Sequence, residues 1–74
     1  MSNGALVNTV RQTRRSRRMT QADLAAAVGV SRQTIVSIEG GDYAPSVLLA
    51  LRLADALDHP IGQLFLIDHS RQEA

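Results

Sequence analysis

A single glycine, Gly29, divides residues 19–41, MTQADLAAAVGVSRQTIVSIEGG, into two short helical patterns. The Thr20 hydroxyl can accept the backbone N–H of Asp23 and the Asp23 carboxylate can return the bond, an acidic form of the capping box, so a helix is expected to start at Thr20. Leu24, Ala25 and Val28 recur at helical spacing while polar Gln21 and Asp23 turn elsewhere. Gly29 then supplies the left-handed conformation in which helices often end. Ser31 is the next capping residue. Beyond it, Ile35 and Ile38 lie on one face, with Arg32, Gln33, Val36 and Ser37 on the other. Two glycines in succession, Gly40 and Gly41, are costly inside a helix and favourable just past its end. Only Gly29, Val30 and Ser31 remain for the connection, which matches the short turn that sets two helices at a steep angle.

Two capped helices joined in this way form a helix-turn-helix. The polar outer face of the second predicts a surface that reads DNA. Each feature taken singly occurs in any helical bundle; the combination carries the reading. Charge supports it. Residues 1–38 hold six arginines (Arg11, Arg14, Arg15, Arg17, Arg18, Arg32) against one acid, Asp23, a balance of +5. Residues 39–74 hold two arginines (Arg52, Arg71) against six acids (Glu39, Asp42, Asp55, Asp58, Asp68, Glu73), a balance of −4, so the whole-chain net of +1 conceals a strong asymmetry. A polyanion is attracted to one half and repelled by the other, which orients the domain before any base is read.

The run TQADLAAAVGVSRQTIVSIEGG, continued by DYAPS and LALRLADAL, resembles the phage-repressor helix-turn-helix family, the Cro and lambda-repressor type, including its small stand-alone bacterial regulators. The resemblance spans residues 7–65 and rests on T-Q-x-x-L-A, G-V-S, I-x-x-I-E and P-S elements. It implies an all-α bundle of five helices whose second and third form the reading unit. It also implies a phosphate contact from Gln21, base-edge contacts from Arg32, Gln33 and Ser37, a backbone or methyl contact from Thr34, and an ion pair between Arg14 and Glu39. Three positions depart from the family pattern. Arg18 stands where many relatives have glycine, Thr13 where leucine is usual, and Asp58 where a glycine commonly ends a helix.

Phosphate contacts set position and base contacts set sequence preference. Arg32 can donate two hydrogen bonds to guanine O6 and N7, Gln33 can pair with adenine N6 and N7, and Val36 can touch a thymine methyl. The cluster RRSRR at 14–18 precedes the second helix. Arg15, Arg17 and Arg18 there are open to two readings, phosphate contacts or a solvated helix end favoured by the macrodipole.

The remainder must build a core and a partner surface. One domain covers residues 1–74, with an ordered part from 6 to 67 and a polar tail over 68–74. Its 45% hydrophobic content includes only Tyr43 and Phe65 as aromatics. Helices are expected over 6–17, 20–28, 31–39, 46–57 and 60–64, with no strand except a short one over 66–68 that could pair across a dimer. In the fourth helix, nine of the eleven residues in 47–57 are apolar. A helix apolar nearly all round is usually buried on more than one side. Val47, Ala50, Leu53, Ala54 and Leu57 form the stripe expected to pack inward. Surplus apolar residues, Leu48, Ile61, Leu64, Phe65, Leu66 and Ile67, suggest a homodimer surface; alternatively, Phe65 to Ile67 fold back to close the monomer's own core.

With no cysteine there is no disulfide framework and no cysteine metal site, and His59 and His69, ten positions apart, do not suggest another metal site. No catalytic serine, histidine and acid arrangement and no glycine-rich loop after a strand is present, so no enzyme, cofactor or small-molecule substrate is expected. The segment MSNGALVNTV is too short and polar for a signal peptide, and no apolar run approaches the ~20 residues of a membrane span, so a cytoplasmic protein with no membrane partner is expected. The leading reading is a regulator of transcription, most simply a repressor on a palindromic operator in double-stranded DNA. The competing one is a protein-interaction module, an antitoxin-like partner or adaptor working through the fourth and fifth helices.

Overall fold

The computed structural model describes residues 5–69, in the order β1 (Ala5–Asn8), α1 (Val10–Ser16), α2 (Gln21–Val28), α3 (Arg32–Glu39), α4 (Val47–Leu57), α5 (Ile61–Leu64) and β2 (Phe65–Asp68). The expectations for the first few residues and for most of the polar tail fall outside the described residues.

Three helix starts follow from side-chain caps. Thr20 Oγ1 accepts from Asp23 N and Asp23 Oδ2 from Thr20 N, both at 2.9 Å, completing the capping box. Ser31 Oγ accepts from Thr34 N and Ser46 Oγ from Leu49 N, each at 3.1 Å. Three helix ends share another device, a left-handed residue after the last turn whose successor bonds back across it. Val30 N reaches Ala25 O past Gly29, Met19 N reaches Arg14 O past Arg18, and His59 N reaches Ala54 O past Asp58. These bonds satisfy carbonyls that a helix end otherwise leaves without partners. Two of the positions lack glycine: φ is 58° at Arg18 and 50° at Asp58. Both are the positions where this chain departs from the family's glycines, so the backbone turn is kept and the side chain bears the steric cost.

The core is built from Val10, Leu24, Ala25, Val28, Ile35, Ile38, Leu49, Leu53, Leu57 and Leu64. Every helix contributes to it. Among the described residues, no buried side-chain nitrogen or oxygen lacks a hydrogen-bond partner.

Five expectations are corrected here. The fold is not purely helical, because β1 and β2 form a two-stranded antiparallel sheet with Leu6 opposite Ile67 and Val7 opposite Leu66. Residues 6–8 are therefore strand rather than the start of α1, and β2 pairs within its own chain rather than across a dimer. Four residues are too few for periodicity to separate strand from helix; the non-local ladder decides. Asn8 marks the boundary, its Oδ1 accepting from Val10 N at 3.1 Å while its Nδ2 donates to Ile38 O at 2.9 Å. In α4 the buried line runs through Leu49, Leu53 and Leu57 with Ala50, and Val47 is 75% exposed. Leu64, expected on a partner surface, is fully buried in the chain's own core.

Replacing Arg18 by glycine removes the left-handed penalty of an L-residue, roughly 1–2 kcal/mol, and adds back part of it as chain entropy. Arg18→Gly is expected to raise stability by about 1 kcal/mol, read as a higher urea midpoint at unchanged slope.

Candidate nucleic-acid interface

The helix-turn-helix is formed by α2 and α3 with the left-handed turn between them. Ile35 and Ile38 are fully buried, so α3 is pinned by its inner face and presents the opposite one. Arg32 and Gln33 stand exposed at its N-terminal end, and Thr34, Val36 and Ser37 are half-buried. The Thr34 hydroxyl lies 3.0 Å from that of Ser31, within the cap.

What holds this helix at its angle is a carboxylate. Glu39 closes α3 with a side chain only 1% exposed. Its Oε2 accepts from Arg14 Nε at 2.6 Å, and its Oε1 from Arg14 Nη2 at 3.2 Å and Gln21 Nε2 at 3.1 Å. Arg11 Nε adds a second cation 3.8 Å from Oε1. Arg14 also donates from Nη1 to Met19 O at 2.8 Å, tying the network to the turn between α1 and α2. A buried pair of this kind contributes little net stability, because desolvation offsets most of the attraction, but leaving either partner alone is costly. Burial pushes the Glu39 carboxyl up, and the hydrogen bonds from Arg14 and Gln21 with the charges of Arg14 and Arg11 outweigh it, leaving the group below its ordinary value. On Asp23, the bond from the Thr20 backbone and then the contact with its hydroxyl act in the same direction.

The arginines expected at phosphates separate into different settings. Arg15 and Arg32 come together on one surface cleft with Arg11, Arg14, Thr20 and Gln21, where α1 and the starts of α2 and α3 converge. Arg18 is exposed at the left-handed turn. Arg17 points elsewhere: its Nε donates to Leu57 O and its Nη2 to Asp58 O at 2.9 Å, at the carbonyl end of α4. Cationic groups are favoured there, so Arg17 serves as a clamp between α1 and α4. Sequence reasoning could not find this role, since the acceptors are backbone carbonyls some forty residues away. Nor did it assign Arg11, whose place beside Glu39 depends on the packing of α1 against α3. Asn8 was legible in principle, as a capping-type residue just ahead of a helix. Among the described residues, no group of histidine, cysteine or carboxylate side chains is placed to hold a metal ion. No described helix is long and apolar enough to cross a membrane.

Two measurements test these assignments. Arg17→Ala is expected to lower stability by about 1–2 kcal/mol in thermal or urea unfolding, through the lost charge-assisted bonds, with Arg15→Ala close to neutral as the control. For Glu39, a folded-state pKa below the unfolded one means the linked stability is complete above the ordinary value of 4.5 and is lost as pH falls through the folded value. Unfolding curves between pH 7 and pH 3 should therefore show wild type losing more stability over this acid window than Glu39→Gln does; Asp23 contributes equally to both.

The comparisons with known proteins agree with this geometry. A family model described as helix-turn-helix matches residues 10–64. An uncharacterized HTH-type transcriptional regulator of Methanothermobacter thermautotrophicus is 45% identical over 60 residues, covering 80% of this chain and 87% of that protein. The corresponding regulator YgzD of Bacillus subtilis is 39% identical over 61 residues, covering 82% and 92%. Among solved structures, the restriction-modification controller protein C.AhdI from Aeromonas hydrophila superposes with a TM-score of 0.72 at 32% identity, covering 76% of this chain and 85% of that one. The transcriptional regulator VanUg shares the fold at a TM-score of 0.72 and 20% identity, covering 90% and 89%. The buried Glu39 network, the exposed face of α3 and these relatives together place the chain in the Cro and lambda-repressor type helix-turn-helix family of DNA-binding transcriptional regulators, a family that is not an enzyme class.

Proposed function

We propose that this regulator is a cytoplasmic homodimeric repressor that reads a palindromic operator through the major groove. The observation that carries the reading is the outward face of α3, with exposed Arg32 and Gln33 beside a cleft lined by Arg11, Arg14, Arg15 and Arg32. Base edges are read by Arg32, Gln33, Val36 and Ser37. Gln21, Thr34, Arg15 and Arg18 meet phosphates. Gln21 has one Nε2 hydrogen engaged by Glu39 and a second left to donate. Bound at an operator, such a domain needs no further activity to exclude polymerase.

Dimerisation is supported by apolar side chains that the monomer leaves in water. Leu48 and Ile67 are each more than half exposed, and Ile61 and Leu66 are exposed as well, all in the C-terminal half of the sequence. Phe65 is half-buried and packs against the core. Two copies joined there, with reading helices about 34–36 Å apart, would engage successive major grooves on one side of the duplex. The same surface could instead hold an antitoxin-like protein partner; a heterocomplex that survives high salt, with no dimer, is the result that would favour it.

Selection of bound duplexes from a random pool, followed by salt titration of the preferred one, tests the whole reading. The selected site should be palindromic, and sedimentation should give a dimer at working concentration. Arg32→Ala and Gln33→Ala are each expected to cost about 1–3 kcal/mol on that site and to relax preference at one position. Arg15→Ala should instead weaken all duplexes alike and reduce the slope of log affinity against log salt by about 0.9. A wild-type profile flat across sequences would overturn sequence reading.

A further inference from the structure

A second cleft lies along α3, away from the arginines, and its chemistry is the opposite. Gln33, Thr34 and Ser37 form one wall, and Asp42 and Tyr43 from the loop after α3 form the other. The loop is held in place: Gly41 N donates to Ile38 O at 3.0 Å and Asp42 N to Ser37 O at 2.9 Å, with Gly41 in the left-handed region at φ 84°. The Asp42 carboxylate folds back over Gly40, one oxygen lying 3.5 Å from where a Cβ on that glycine would stand. Among the described residues it enters no ion pair and accepts no hydrogen bond. An acid beside the carbonyl end of a helix is electrostatically unfavourable, so folding gains nothing from it there. Tyr43 is 48% exposed at the same edge.

We propose that this cleft is a second reading element in which Asp42 accepts a hydrogen bond from an exocyclic amino group in the major groove, cytosine N4 in first place. The inference rests on the DNA-reading role of α3 proposed above. A carboxylate among three hydroxyl-bearing side chains, Thr34, Ser37 and Tyr43, with no cation in the cleft lining, repels a phosphate, whereas the arginine cleft attracts one. The amino groups of cytosine and adenine are the donors that a duplex displays in this groove, and acidic side chains pair with cytosine N4. Asp42 thus sets preference at a base pair that the face of α3 alone does not read.

The test measures affinity at fixed salt for the selected duplex and for each of its single base-pair variants, using wild type, Asp42→Asn and Arg32→Ala. Wild type should lose about 5- to 150-fold when one particular C·G pair is changed. Asp42→Asn should flatten that position or turn it toward adenine, whose N6 and N7 an amide can bridge, while the position lost in Arg32→Ala stays intact. Its melting temperature should not fall. Tighter binding of Asp42→Asn to every duplex equally would show that the carboxylate faces a phosphate, and an unchanged profile would show that it faces solvent; either overturns the inference while sequence reading stands. A wild-type protein with no preferred duplex overturns both.

Discussion

The Glu39 carboxylate is the point on which the arrangement turns. It sits at the end of α3, receives two nitrogens of Arg14 from α1 and one of Gln21 from α2, and has Arg11 nearby, so three helices meet at one buried negative charge. Hydrophobic contacts between the same helices are non-directional and would tolerate small rotations. A forked guanidinium on a carboxylate does not, because both bonds require one plane and one spacing. The value of the network lies in orientation: it fixes the angle at which α3 presents its outer face.

The neighbouring charges are used in different ways although they share a sequence cluster. Within RRSRR, Arg14 is buried against Glu39, Arg17 holds the carbonyl end of α4, Arg15 lines the cationic cleft, and Arg18 occupies a left-handed turn. Four arginines within five positions thus do four things. Arg14 and Arg15 lie in the last turn of α1, Arg17 caps that helix and Arg18 follows in the left-handed turn, so the side chains leave the backbone in different directions and each meets whatever the fold has placed there. Arg14 faces a carboxylate that balances its charge, whereas Arg17, bonded to neutral carbonyls, keeps its own.

The sheet explains how the two ends of the described chain bear on the reading helix. β1 and β2 pair with each other, and Asn8, the last residue of β1, bonds to the Ile38 carbonyl near the end of α3. Thr9 continues the link through its backbone to Leu64 O and its hydroxyl to Gln63 O, each at 2.9 Å. The apolar residues left exposed on the sheet, Leu6, Val7, Leu66 and Ile67, therefore lie one hydrogen-bonded step from α3.

Sequence alone determined what local chemistry controls. Thr20 and Ser31 as caps, Gly29 as the left-handed turn, the inward face of Ile35 and Ile38 and the outward one of Arg32 and Gln33 all follow from rules that act within one turn of helix. The family pattern added the pairing of Arg14 with Glu39, which spacing by itself does not imply. Tertiary structure alone decided what depends on distant partners. Residues 6–8 became strand because a second strand sixty residues later offered its backbone, Leu64 went inside because the core had room for it, α4 turned Leu49 rather than Val47 inward, and Arg17 found carbonyls across the bundle. In each case the deciding partner lies far along the chain, where no local rule can reach.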